Sequence, residues 1–160
     1  MPNNQKTNIL ILENIRSVHN AGAIFRTADA VGIDQIFLIG ETPTPLDHLG
    51  RPRSDFAKTA LGSEKTIPWE YRKTILPVLK KLQKENYTII SIEQNENSID
   101  YKKVKMQNHT ACILGNEVTG VSKTALAHSD IVAEIPMRGK KESLNVSVAA
   151  GIVLFRFFDK

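Results

Sequence analysis

Polar residues that could take part in chemistry occur at three places in the chain, each shortly after an apolar run. Asn20 and Arg26 follow NILILE, Glu117 follows TACILG, and Ser143 with Asn145 follows DIVAEIP. Amide, hydroxyl, carboxylate and guanidinium groups can hydrogen-bond a polar substrate, bind a phosphate or orient a reacting hydroxyl. Each group also has an ordinary structural interpretation, because amides and hydroxyls can cap helices and an arginine can be a solvated helix residue.

The common nucleotide-binding motifs do not match these places. In GNEVTG, Gly115 and Gly120 have the spacing of a phosphate-binding loop, but Val121 and Ser122 follow where that loop requires Lys and then Ser or Thr. The first apolar run is followed by ENIRSV and not by the glycine-rich turn of a Rossmann site. The sequence therefore argues against both kinds of nucleotide site.

The elements that must position these residues alternate along the chain. Short β-rich apolar runs alternate with helix-like segments, which is typical of an α/β domain with a mostly parallel sheet flanked by helices. The predicted strands are residues 8–13, 35–40, 87–93, 110–115 and 130–136. The predicted helices are residues 21–32, 69–86, 122–129 and 145–158. This pattern by itself favours an open, doubly wound sheet.

Individual residues mark where several of the predicted helices begin or end. Asn20 is the expected N-cap of the first helix and Gly32 its C-terminal stop. Pro77 must start, kink or divide the predicted helix 69–86. The last helix could be capped by Ser143 or by Asn145. The proline-rich residues 41–58 are expected to form a long loop or to carry only fragments of helix.

Composition predicts one domain spanning residues 1–160. The chain has 160 residues, of which 41% are hydrophobic and 24% charged, enough for a proper core. A net charge of +4 is compatible with a polyanionic partner, but 21 basic against 17 acidic residues is a small excess. The single cysteine, Cys112, excludes an intrachain disulfide and is expected to be buried. Histidine spacing predicts no metal site, and the absence of a leader or a membrane-length apolar run favours the cytoplasm.

Taken together, the three polar segments resemble the motifs of a known family. NAGAIFRTA, GNEVTG and IPMRGKKESLNVS occur in the order and at the separations of the SpoU (TrmH-like) class of SPOUT RNA methyltransferases, and the resemblance runs from about residue 8 to residue 158. It implies transfer of a methyl group from S-adenosylmethionine to a ribose 2'-hydroxyl of RNA. It also implies a homodimer and a deep trefoil knot at the C-terminal end, whereas folding rules in general predict an unknotted chain.

The resemblance assigns two sets of site residues. The cofactor-binding set is Leu114, Gly115, Ile135, Met137 and Leu144. The set placed around the methyl group and the ribose is Asn20, Arg26, Glu117, Ser143 and Asn145, with Arg26 as the candidate catalytic residue. An arginine is a poor general base, because its pKa exceeds about 12. We therefore expect Arg26 to hold an RNA phosphate and to stabilise the developing alkoxide.

Further RNA contacts are expected from basic residues in loops. These are Arg16, Arg51, Arg53, Lys58, Arg138, Lys140 and Lys141. No separate RNA-binding domain is expected beside the catalytic domain, and this minimal architecture favours tRNA over ribosomal RNA as substrate. The alternative function is a non-catalytic RNA-binding module with the same fold. A small-molecule enzyme with a nucleotide cofactor is disfavoured, because the glycine-rich motifs are absent.

Overall fold

The computed structural model describes residues 5–159, which form one sheet of seven strands with helices on both faces. The strands are β1 (Thr7–Glu13), β2 (Gln35–Ile39), β3 (Trp69–Arg72), β4 (Thr88–Ile92), β5 (Ile99–Asp100), β6 (His109–Leu114) and β7 (Ile131–Glu134). The helices are α1 (Val18–Val31), α2 (Ser54–Ala60), α3 (Ser63–Thr66), α4 (Leu76–Lys84), α5 (Lys123–Ala127) and α6 (Val146–Phe158), with a short 3-10 helix at Tyr101–Lys103.

The sheet is parallel throughout, with the strand order β3-β2-β1-β6-β4-β7-β5. Successive residues of a strand point to opposite faces, so β1 sends Leu10 and Leu12 to one core and Ile9 and Ile11 to the other. The first core is closed by α1, α2 and α6, and the second by α4 and α5. The predicted α/β class with a mostly parallel sheet is confirmed.

One predicted helix is wrong over its first part. Residues 69–72 form β3, which pairs with Ile36–Ile39 of β2 at the edge of the sheet, and the helix begins only at Leu76. An edge strand is half exposed, so Trp69–Arg72 lacks the apolar run that marks the central strands. Pro77 is the second residue of α4, in the first turn, where a missing backbone N–H costs nothing, so it helps to start the helix and does not kink or divide it.

The start of α1 also differs from the prediction. Ser17, and not Asn20, is the N-cap, because its side chain accepts a hydrogen bond from the backbone N–H of Asn20. Asn20 thus lies in the first turn of the helix, where its amide is available for another contact. Gly32 ends the helix as predicted, in the left-handed conformation at φ 83°.

The proline-rich loop and Cys112 lie as the sequence predicts. Residues 41–53 form a loop with a bridge between Leu46 and Pro52, and α2 is the predicted fragment of helix. Cys112 is fully buried in β6, and burial raises the pKa of its thiol to about 12. Within residues 5–159, no helix has the length and apolar character that crossing a membrane requires.

Candidate functional site

A cavity of about 280 Å³ opens where the carboxyl ends of β4, β6 and β7 meet. Parallel strands bring their carboxyl ends to one edge of the sheet, and the loops that follow them form the cavity walls. All five residues predicted to bind the cofactor line this cavity: Leu114, Gly115, Ile135, Met137 and Leu144. The fold thus assembles this predicted set from three separate segments of the chain.

One wall is a tight hairpin, residues 115–120, which follows β6. Asn116 and Gly120 exchange backbone hydrogen bonds of 3.1 and 3.0 Å. The backbone approaches closely here, since a Cβ on Gly115 would lie 2.5 Å from the carbonyl carbon of Gly120. The Asn116 side chain accepts the N–H groups of Val118 and Thr119 and donates to the carbonyl oxygen of Asn14 at 2.8 Å. The hairpin therefore has a defined shape and is anchored to the end of β1.

Glu117 connects this hairpin to the start of α1. Its carboxylate accepts the backbone N–H of Arg16 at 2.9 Å and that of Ser17 at 2.9 Å. Partial burial acts to raise the pKa of Glu117, but these hydrogen bonds outweigh it, and the pKa lies below its ordinary value. Glu117 therefore holds backbone N–H groups at the N-terminus of α1, where a negative charge is favourable.

The opposite wall is the loop between β7 and α6. Asn145 is the N-cap of α6, with its side-chain oxygen accepting the backbone N–H of Ser147 at 2.8 Å and the Ser147 hydroxyl at 2.6 Å. Of the two predicted caps, Asn145 is therefore the one that the helix uses, and Ser143 is not. Ser143, Leu144 and Asn145 all line the cavity and are exposed at its mouth, so Asn145 both caps the helix and contributes to the cavity wall.

Arg26, the candidate catalytic residue, does not line this cavity. It lines a second, open cavity of about 550 Å³ between α1, α2 and α6, together with Lys58 and the side chains of Thr27, Thr59, Ser147 and Phe155. Three of the five predicted ribose-site residues, Glu117, Ser143 and Asn145, line the first cavity. Asn20 does not line this cavity, but its side chain acts on Glu117 and helps to lower the pKa of that carboxyl.

The structure adds polar residues that the sequence reasoning missed. Glu13, the buried last residue of β1, accepts both the backbone N–H and the hydroxyl of Ser122, at 3.0 and 2.8 Å. Glu93 and Gln94 follow β4 directly and line the cavity. Their position in the sequence could have identified them. Each ends or directly follows an apolar strand, so each lies at the carboxyl edge of the sheet, where the three motifs also lie.

The first cavity is acidic although the chain is basic overall. Glu93, Glu117 and Glu134 line it, and among residues 5–159 no Lys, Arg or His does. Leu114, Ile135 and other aliphatic residues supply apolar surface between them. Such a lining suits a ligand that combines a flat apolar group with positive charge, and it disfavours a polyphosphate.

The predicted RNA-binding residues lie at the surface in different settings. Arg51 pairs with Asp47 at 3.0 Å and Arg53 with Asp55 at 2.8 Å, so each guanidinium already has a carboxylate partner. The other five predicted residues are exposed: Arg16, Lys58, Arg138, Lys140 and Lys141. Residues 5–159 hold no group of three potential ligands of the His, Cys, Asp and Glu types that could bind a metal.

Comparison with known proteins identifies the family. The model of the SpoU rRNA Methylase family matches residues 7–155. The chain belongs to this family. Among curated relatives of the family, a tRNA (guanosine(18)-2'-O)-methyltransferase of Thermus thermophilus is 35% identical over 91% of this chain and 71% of its own length. A 23S rRNA (guanosine-2'-O-)-methyltransferase of Neisseria meningitidis is 33% identical, again over 91% of this chain, which spans 56% of that relative.

Solved structures of family members have the same fold. The A. aeolicus TrmH/SpoU tRNA modifying enzyme superposes with a TM-score of 0.82 at 29% identity, over 95% of this chain and 74% of its own. An AdoMet-bound rRNA methyltransferase from Sinorhizobium meliloti superposes with a TM-score of 0.83 at 27% identity, over 95% of this chain and 56% of its own. The family predicted from the three motifs is confirmed.

Proposed function

We propose that this chain is an RNA methyltransferase that transfers a methyl group from S-adenosylmethionine to a ribose 2'-hydroxyl. The observation that carries the proposal is the first cavity, in which all five predicted cofactor residues meet within a member of the SpoU family. The AdoMet-bound neighbour and the relatives named as guanosine 2'-O-methyltransferases support the same reaction.

The lining of the first cavity fits this cofactor. Leu114, Ile135 and Leu144 provide aliphatic surface for the adenine, and the hairpin 115–120 exposes backbone groups beside it. S-adenosylmethionine supplies an electrophilic methyl group on a positively charged sulfonium. The carboxylates of Glu117 and Glu134 favour such a cation electrostatically.

The residues of this chain then have to orient the ribose and ease the loss of its proton. Arg26 has a permanent positive charge, so it holds an RNA phosphate and stabilises the alkoxide that forms at the 2'-oxygen. Lys58 lines the same cavity as Arg26 and adds a second cation for the RNA backbone. Asn20 and Glu117 fix the start of α1, and Ser143 and Asn145 shape the mouth of the cofactor cavity.

We infer that the functional unit is a homodimer. Within one chain Arg26 and the cofactor cavity do not share a pocket, and α6 carries Val148 (51% exposed) and Phe155 (44% exposed) on its surface. An exposed apolar helix face suits a second copy of the chain, which would bring one protomer's Arg26 to its partner's cavity. A C-terminal trefoil knot, which the resemblance of the three motifs implies, is part of the same proposal.

For the substrate we propose tRNA, with ribosomal RNA as the second candidate. Relatives of both kinds match this chain at 31–35% identity. The exposed basic residues named above would bind phosphates, a contact that carries little sequence information. We also propose that residues 1–160 form one domain and that the protein acts in the cytoplasm.

Arg26→Ala tests the mechanism. The protein and its variant are incubated with labelled S-adenosylmethionine and with RNA from a strain that lacks the gene, and the modified nucleotide is identified by mass spectrometry. We expect label on a ribose with the wild type, and loss of about 99% or more of the rate with Arg26→Ala while cofactor binding is kept. Label on a base, or full activity of the variant, would overturn this mechanism. Cofactor and RNA binding without any transfer would point to a non-catalytic RNA-binding module.

A further inference from the structure

Glu93 and Gln94, which follow β4, contact both walls of the cofactor cavity. The Glu93 carboxylate accepts the backbone N–H of Val121 at 2.8 Å with one oxygen and that of Gln94 at 2.9 Å with the other. The backbone N–H of Glu93 itself donates to the carbonyl oxygen of Ala133 at 3.0 Å. One residue therefore joins β7 to the end of the hairpin 115–120.

The contact between Glu93 and the hairpin is close. Gly120 has a φ of 75°, and a Cβ built on it would overlap the Glu93 Oε2 atom. The carboxylate thus lies directly against the backbone of Gly120 and Val121, which only a glycine at residue 120 allows. Because a charged acceptor meets a backbone donor here, the bond is stronger than one between neutral groups.

Gln94 holds the opposite wall. Its side-chain Nε2 donates to the carbonyl oxygen of Glu142 at 2.9 Å. Residues 138–145 are all exposed, so burial contributes little to their position and individual hydrogen bonds matter more. This loop carries Ser143 and Leu144, which line the cavity.

We propose that Glu93 and Gln94 form a clamp that holds the two cavity walls at the separation the methyl donor requires, and thereby sets the affinity for S-adenosylmethionine. The inference rests on the proposed function and deepens it. Both are positioning residues, since they act through the backbone of the hairpin and of the loop before α6. A clamp of this kind changes cofactor affinity and leaves RNA binding unaffected.

Gln94→Ala, compared with Gln83→Ala, is the matched test. Gln83 makes the same type of bond, from its side-chain Nε2 to the carbonyl oxygen of His128 at 3.3 Å, but lies away from the cavity. We expect Gln94→Ala to bind S-adenosylhomocysteine about two- to tenfold more weakly by calorimetry, the range that loss of one neutral hydrogen bond gives. The KM for S-adenosylmethionine should rise equally, while the RNA KM, kcat and the melting temperature stay close to those of Gln83→Ala.

Glu93 variants provide the second measurement. Glu93→Ala should weaken binding by about ten- to a hundredfold, because a charged hydrogen bond is lost. Glu93→Gln keeps one acceptor for the Val121 N–H, so it should recover part of that loss. If Glu93→Ala does not fold, Gln94→Ala and Glu93→Gln decide the question.

The outcomes separate the two proposals. If the wild type binds the cofactor and Gln94→Ala and Glu93→Gln bind it with the same affinity, the clamp is overturned and the proposed function remains intact. A rise in the RNA KM equal to that for the cofactor also overturns the clamp, because it indicates a general structural effect. A wild-type protein that binds neither cofactor form at millimolar concentration overturns the proposed function, and the clamp with it.

Discussion

Replacement of Glu117 by glutamine should lower stability in a pH-dependent way. The Glu117 carboxylate accepts two backbone N–H groups at the N-terminus of α1, from Arg16 and Ser17, both at 2.9 Å. In Glu117→Gln one oxygen remains as an acceptor, but the charge that favours the helix N-terminus is lost. Because Glu117 is exposed, solvent screens much of the effect, and we expect a loss of about 1 kcal/mol in the free energy of unfolding.

The pH dependence follows from the lowered pKa of Glu117. A carboxyl whose pKa is lower in the folded state stabilises that state above its unfolded pKa and loses this effect as pH falls through the folded value. The ordinary value is 4.5, so the difference between wild type and Glu117→Gln should be complete at pH 7. It should shrink as pH falls below 4.5 toward the lowered pKa and then disappear.

Thermal unfolding and urea titration across this pH range provide the measurement. At pH 7 a loss of this size corresponds to a fall of about 2–4 °C in melting temperature for a chain of this length. Glu96→Gln, which removes the same charge from an exposed position in another loop, is the control and should change the melting temperature by less than about 1 °C. Two results would refute this prediction. One is an equal fall in melting temperature in Glu117→Gln and Glu96→Gln. The other is a loss of unfolding free energy in Glu117→Gln that stays constant down to the lowest pH at which the protein is folded.

Two further predictions concern packing. Gly22→Ala should destabilise the protein by about 1–3 kcal/mol, because its Cβ would lie 2.8 Å from a backbone oxygen of α2; Gly139→Ala, where a Cβ meets open space, should be nearly neutral in the same thermal unfolding assay. Native protein should not react with a thiol reagent at about pH 8, since Cys112 is fully buried with a pKa of about 12, and it should react once unfolded in urea. Rapid reaction of the folded protein would show that β6 is accessible.

The sequence predicted the central part of the fold well because the central strands are apolar on both faces. β1, β2, β4, β6 and β7 all lie within their predicted ranges or within one residue of them. The edge strands were missed: β3 was assigned to a helix, and β5 has only two residues. Edge strands are half exposed and bury little apolar surface, so their sequences lack the pattern that marks a buried strand.

Of the site, the sequence by itself determined which residues are present, and the motifs they form identified the family and its two sets of candidate residues. Only the tertiary structure decided how they meet. The order β1-β6-β4-β7 brings Glu117 to the start of α1, 100 residues away in sequence, and places Glu93 against Val121. It also leaves Arg26 outside the cofactor cavity of its own chain. These contacts join carboxylates to backbone N–H groups, and because every residue except proline carries such a group, no local pattern predicts which one a carboxylate will reach.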